Sequence, residues 1–363
     1  MTFIRNILLF ALLLSLIVSL HELGHLIAAK IFNVYCKEYS IGMGPKIFSK
    51  KGKETEYCIR AFPLGGFVAM AGDSDNSLET SVDTSDLPPE RTLTGIAKWK
   101  RVIIMLSGIM MNMLLAIVIY SLIILGNGTY ATSSKPVIES VMEDSPALAV
   151  GFKQGDLIQK AEFENGLTIE PSSYLELVTF LSTYDGQGEW KITVLRNNEK
   201  ITFELEPEYV EEEDRYYMGV VFSNSAYEEV EVNILNCWKF GFEYALTIIK
   251  LTWSSFLTLF QGKNLNSVSG PVGIYSTVSE AADLGFYYYV QLIAMISINI
   301  GIVNALPLPI FDGGRVVLLI VEMIIGKPLS EKATNAVMTA SLAVIVLLVL
   351  LATYNDIGRL IGG

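Results

Sequence analysis

Long apolar stretches alternate with charged ones along the chain, and the apolar stretches have the length of a membrane crossing. A spanning helix needs about 20 mostly apolar residues. Four segments meet that requirement: 5–30, 102–125 (VIIMLSGIMMNMLLAIVIYSLIIL), 287–306 (YYYVQLIAMISINIGIVNAL) and 335–355. The first is predicted to be a retained span and not a secretory signal. Arg5 precedes its apolar run, but no small-x-small cleavage site follows and the helical pattern continues to Lys30. A further apolar stretch, 238–260, is interrupted by Lys239, Glu243 and Lys250 among aromatic residues. That pattern predicts an amphipathic helix lying at the interface.

Charge then orients the spans. Lys30, Lys37, Lys46, Lys50, Lys51, Lys53, Lys98, Lys100 and Arg101 crowd the loop between the first two spans. The region between the second and third is acidic, with EEED at 211–214 and EEVE at 228–231. Positive charge marks the cytoplasmic side, so the Lys-rich loop is expected inside and the acidic block outside. Both termini then fall outside, and the loop 312–334 falls inside. Hydrophobic residues make up 51% of the chain and charged residues only 18%, below the quarter or so usual in soluble domains. The formal charge of −12 argues against nucleic-acid binding, which needs a basic surface. Cys36, Cys58 and Cys237 are scattered and form neither a disulfide framework nor a C-x-x-C pair.

The acidic block reads as a small domain. Residues 136–166 (PVIESVMEDSPALAVGFKQGDLIQKAEFENG) pass from a β-branched strand through an SPA helix start to a GFKQGDLI turn and strand. A helix at 172–183 and two alternating strands, WKITVLRN and KITFELEPE, follow. SPALAVGFKQGDLI resembles the corresponding line of PDZ domains, which take an extended peptide onto a sheet edge; a spacer domain that binds nothing is the alternative. The expected fold is therefore a multi-pass α-helical membrane protein of four spans with an inserted extracytoplasmic, β-rich PDZ domain. The expected division is 1–127, 128–225 (PDZ) and 226–363.

The first span carries the chemistry. The chain has two histidines, and both lie in SLHELGHLIAAK, as His21 and His25 with Glu22 between them. Helix positions i and i+4 share a face, so the two imidazoles can meet one metal ion with Glu22 beside them to act on water. Three ionisable groups at one turn of a membrane helix are expensive, and such groups usually serve function. Hydrolytic zinc sites commonly use three protein ligands. With no third histidine, a carboxylate or thiolate must complete the set. Asp312, in NALPLPIFDGGR at the end of the third span, is the leading candidate. It follows a helix broken by Pro307 and Pro309, and broken backbone at membrane depth is tolerated where it is buried by protein or lines a cavity.

HELGH, GMGPKIF, FPLGGFVAM, SGPVGI, NALPLPIFDGG and GKPLS together resemble the site-2 protease family of intramembrane zinc proteases. The closest branch is the bacterial regulator-of-sigma-E proteases, in a form with one PDZ domain. The resemblance implies one zinc ion per chain held by His21, His25 and Asp312, with Glu22 as general base. It implies that Asn304 contacts the substrate backbone or the developing oxyanion. Asn112 keeps the family's asparagine in the second span, a substrate-binding position, although Ile109 replaces the usual proline. An ordinary helix-packing hydrogen bond is the other reading of Asn112. The stretch EYCIRAFPLGGFVAM, 56–70, alternates like a strand and turns at Gly65 and Gly66. In the family this region resembles a membrane-associated hairpin whose edge pairs with substrate, with Gly65, Gly66 and Phe67 at the contact. Expected partners are the lipid bilayer and single-span membrane proteins already trimmed outside, such as anti-sigma factors or signal-peptide remnants. The PDZ domain would bind new C-termini or exclude large ectodomains. The expected location is the bacterial inner membrane, with the active site towards the cytoplasm.

Overall fold

The computed structural model describes residues 2–73, 82–131, 135–164, 166–183, 188–210, 215–223, 229–260 and 270–362. The acidic run 211–214, Glu228 and Ser269 of the SGPVGI motif lie outside the described residues. The chain divides into two compact units, one formed by Met1–Ile123, Trp238–Ile249 and Asn264–Gly363, the other by Ile124–Cys237 and Lys250–Lys263.

The first unit is built on helices. α1 (Thr2–Ile31) and α2 (Lys98–Asn127) are thirty residues each, free of proline and rich in Leu and Ile. In lipid such a segment must satisfy every backbone N–H internally, which makes helix the obligatory conformation. α1 stops where Asn33 takes a left-handed φ of 63°, the commonest non-glycine device for ending a helix. Four helical stretches are long and apolar enough to cross a membrane: Thr2–Ile31, Lys98–Asn127, Phe286–Ala305 and Thr334–Gly358. They agree with the four predicted spans to within a few residues.

β1 (Cys36–Lys51) and β2 (Glu56–Met70) fill the loop between the first two spans. Both strands bend, so that Tyr39, Ser40 and Ile41 pair with Val68, Phe67 and Gly66 and also with Tyr57, Cys58 and Ile59. The predicted turn in β2 is present as this bend, with φ of 88° at Gly65 and Gly66 already back in the ladder. Tyr39 Oη donates to the Ser19 carbonyl at 2.7 Å and ties the sheet to α1 two residues before His21. Met43 pairs with Phe62 and Phe48 with Ile59, and all four side chains stay exposed, as a surface meeting lipid would require.

The remaining helices are α5 (Cys237–Phe260), α6 (Pro271–Leu284), α7 (Phe286–Ala305), α8 (Asp312–Ile325) and α9 (Glu331–Gly362). α5 is the predicted interfacial segment; it is helical and is not among the four candidate spans. α6 and α8 were not expected from the sequence pattern. Asp356 of α9 caps α6, accepting from Gly270 N at 3.1 Å and Gly273 N at 2.7 Å. α7 is the most enclosed span: Leu292, Ile293 and Ile296 pack with Leu13 and Ile17 of α1 and Val278 of α6.

The second unit is β-rich. β5 (Leu157–Phe163), β6 (Thr168–Ile169), β7 (Trp190–Arg196) and β8 (Glu199–Leu205) form an antiparallel sheet of order β6-β5-β7-β8. β3 (Thr129–Ala131) pairs with β12 (Glu229–Glu231), β4 (Ile138–Val141) with β11 (Val220–Phe222), and β9 (Glu208–Val210) with β10 (Arg215–Tyr217). α3 (Pro146–Val150) begins as the SPA signal predicts: Pro146 opens the helix and Ser145 Oγ accepts from Leu148 N at 3.3 Å. α4 (Tyr174–Thr183) matches the predicted second helix. The inward face of β5 and β7, with Phe152, Leu177 and Met218, makes the core around Trp190.

The GD of the GFKQGDLI motif has a structural reason. Arg196 grips the buried Asp156 carboxylate with two hydrogen bonds of 2.6 and 2.7 Å, and Lys153 N adds a third at 2.9 Å. Burial pushes the Asp156 carboxyl up, but the Arg196 and Lys153 contacts outweigh it and hold the group below the usual carboxylate range. Its contribution is then complete at neutral pH and is lost only as acid titrates the folded-state carboxylate, below about pH 4. Asp156→Asn leaves Arg196 facing a buried amide. We expect it to cost about 3 kcal/mol, read as a roughly hundredfold faster hydrogen exchange of β5 and β7 amides at neutral pH.

Candidate active site

His21, Glu22 and His25 occupy one turn of α1. The two rings stand edge to face with centroids 4.8 Å apart, as i, i+4 spacing dictates. Both are buried, at 7% and 5% exposure. Gly24, between them, lets α2 come close: a Cβ there would lie 2.4 Å from the Ser107 carbonyl oxygen. Gly108 answers it on α2, where a Cβ would stand 2.4 Å from His25 Nε2. This double-glycine crossing brings α2 backbone to the rings. His25 Nδ1 lies 2.7 Å from the Ile104 carbonyl oxygen. A carbonyl only accepts, so Nδ1 carries the hydrogen and Nε2 keeps its lone pair.

Asp312 arrives from the far end of the chain. After α7 the backbone turns through Pro307 and Pro309 and re-enters as α8, with Asp312 in its first turn. Gly313 and Gly314 make that re-entry possible, since a Cβ on either would fall within 2.4 Å of the Ala305–Pro309 backbone. Asp312 Oδ2 lies 3.0 Å from His21 Nε2 and 3.3 Å from His25 Nε2. None of these approaches closes an aligned hydrogen bond to Oδ2, which is buried and otherwise unpartnered among the described residues. Three electron-pair donors, two nitrogen and one oxygen, thus lie within 4.8 Å of one another. Such a set suits a divalent cation at its centre, and its donors are those of a zinc site with an open position.

The three donors, with Glu22, Phe67, Asn304 and Arg315, line a cavity of about 260 Å³. Gly66 lies beside it, its Cβ position 3.6 Å from Glu22 Cγ; Gly65 lies in the bend and does not line the cavity. Asn112 is not on the cavity wall. It is fully buried behind His21, its side-chain amide 3.4 Å from His21 Nδ1. Sequence reasoning missed two features here. Arg315, one turn after Asp312 and on the cavity wall, was not singled out as a site residue. The Ile104 carbonyl left no side-chain signal at all. A second group of donors, Glu38, Glu56 and Cys58, is already served by Lys46, whose ammonium lies 2.8 Å from both carboxylates.

The description of Peptidase family M50 matches residues 9–348. The chain belongs to peptidase family M50. Its relatives include the regulator of sigma-W protease RasP of Bacillus subtilis, 29% identical over 99% of each chain. The zinc metalloprotease RasP of Bacillus licheniformis is 30% identical, covering 98% of this chain and 99% of its own. A Clostridium acetobutylicum relative named for zinc metalloprotease activity is 33% identical over 97% of both. The chain is accordingly a multi-pass membrane zinc metalloprotease.

The glycine crossing gives a direct test of the geometry. Gly108→Ala places a methyl group against His25 Nε2 and is expected to weaken zinc binding at least about tenfold. Gly126→Ala, on the same helix with open space at its Cβ, should leave zinc binding unchanged. Chelator competition on the purified proteins measures both.

Proposed function

We propose that this M50 member is an intramembrane endopeptidase that cleaves the transmembrane segments of single-span proteins already trimmed outside. The observation that carries the reading is the convergence of His21, His25 and Asp312 beside Glu22 in one cavity among spanning helices. His21 Nε2, His25 Nε2 and the Asp312 carboxylate hold the zinc. When bound, the ion supplies Lewis-acid polarisation of the scissile carbonyl and acidifies water towards a pKa of about 7. The Glu22 carboxylate takes the proton of the attacking water and passes it to the leaving amine. Asn304, on the cavity wall, donates its amide hydrogens to a substrate carbonyl or the oxyanion.

A transmembrane helix resists hydrolysis because its carbonyls are already hydrogen-bonded. The 66–70 arm of β2 has β1 on one side, and Phe67, Val68 and Met70 face the cavity. An unwound substrate pairing with the other edge of this arm would be held extended past Glu22. The positive-inside pattern supports a cytoplasmic hairpin and active-site mouth, with the β-rich unit and both termini outside. The SPA and GD signals and the α3–β5 arrangement support a PDZ domain at 128–225, between membrane-core segments 1–127 and 226–363. An apolar groove of about 310 Å³ between α4 and β10–β11, lined by Tyr174, Leu181, Met218 and Phe222, suits a peptide's apolar C-terminal residue. Exclusion of large ectodomains by the same domain remains the alternative role. The sigma-W regulator among the relatives favours an anti-sigma factor as substrate; signal-peptide remnants are the second class.

Glu22→Gln tests the assignment. The variant should bind zinc like the parent and cleave a single-span reporter in detergent about a thousandfold more slowly. Cleavage at the parental rate would sink the proposal.

A further inference from the structure

Asn112 stands in the middle of α2 with no exposed surface, where an amide without partners is costly. Its side-chain nitrogen faces His21 Nδ1 at 3.4 Å, and its Oδ1 is buried without a hydrogen-bond partner among the described residues. In that orientation the amide N–H can only donate to a bare Nδ1. The ring hydrogen is then left on Nε2, the atom that faces Asp312 Oδ2. A half-turn of the planar amide exchanges its oxygen and nitrogen in nearly the same volume. The oxygen then faces Nδ1 and accepts its hydrogen, and Nε2 recovers its lone pair. Only the second orientation leaves His21 able to act as a ligand.

We propose that Asn112 is a positioning residue for the zinc site: its carbonyl oxygen accepts the Nδ1 hydrogen of His21 and fixes the ring with Nε2 towards the metal. The Ile104 carbonyl performs the same task for His25 at 2.7 Å, so α2 supplies an acceptor behind each imidazole. Asn112 is itself held, since Ser297 Oγ of α7, buried in the bundle, donates to its backbone carbonyl at 2.9 Å. The chain of contacts runs from α7 to α2 to α1 and places this asparagine behind the ligand and off the cavity wall. The inference rests on the zinc-site reading above.

Two measurements test it on the full-length protein in detergent. The first is zinc affinity by chelator competition. Asn112→Leu, close in shape and without an acceptor, should weaken binding about 10- to 100-fold. Asn112→Asp, which offers an acceptor in either orientation, should bind as tightly as the parent or more tightly. Equal affinity in Asn112→Leu and the parent, or equal loss in the Leu and Asp variants, would overturn the proposal. The second needs no variant. The chain has only two histidines, so ¹⁵N-histidine labelling gives two ring systems in the zinc-loaded protein. Both should show the hydrogen on Nδ1 and the metal on Nε2; His21 metallated through Nδ1 would overturn the assignment. His21→Ala separates the layers. If it leaves zinc affinity intact, the zinc-site reading itself fails; if it abolishes binding while Asn112→Leu does not, only the role of Asn112 fails.

Discussion

Two imidazole nitrogens and a carboxylate oxygen converge on one point inside an apolar helix bundle, a donor set suited to a cation. In a medium of low dielectric a buried carboxylate needs a positive partner, and the two imidazoles are turned towards this one. Much of the membrane unit follows from holding these donors together. Gly24 and Gly108 draw α1 and α2 into backbone contact. The prolines after α7 and the paired glycines opening α8 turn the chain back so that Asp312 reaches the same spot. The sheet is pinned to α1 through Tyr39, which brings the 66–70 arm to the mouth of the cavity.

The arrangement also reconciles hydrolysis with lipid. On the proposed reading water and a peptide carbonyl must reach the site, and the cavity beside Glu22 and Asn304 is the space for them. On the same reading the bent sheet offers an unwound substrate an edge of backbone donors and acceptors. Its exposed Met43, Phe48, Ile59 and Phe62 give that sheet an apolar surface among the lysines of the same loop. A β-rich unit lies between the second and third spans along the chain.

The spans and the HELGH turn were legible because each depends on one local signal: apolar length for the former, i, i+4 spacing for the latter. Asp312 was legible as a candidate through broken backbone beside an apolar run. β1 hid because its faces do not alternate between core and water; Ile47 and Phe48 are exposed on what the fold leaves to lipid. α8 hid because Asp312, Arg315 and Glu322 make a short amphipathic helix look like a charged loop. The position of Asn112 behind His21 depends on the crossing of α1 and α2, and residue spacing carries no record of a crossing. The same holds for the Ile104 carbonyl, which no side chain announces.

Zinc-edge X-ray absorption on the purified protein and its Asp312→Cys variant tests the ligand set most directly. The parent should show a first shell of nitrogen and oxygen only, with the multiple scattering of two imidazoles. In the variant one sulfur should appear at about 2.3 Å, because the thiolate takes the place of the carboxylate. A parental shell already containing sulfur, or a shell unchanged by the substitution, would contradict zinc ligation by His21, His25 and Asp312.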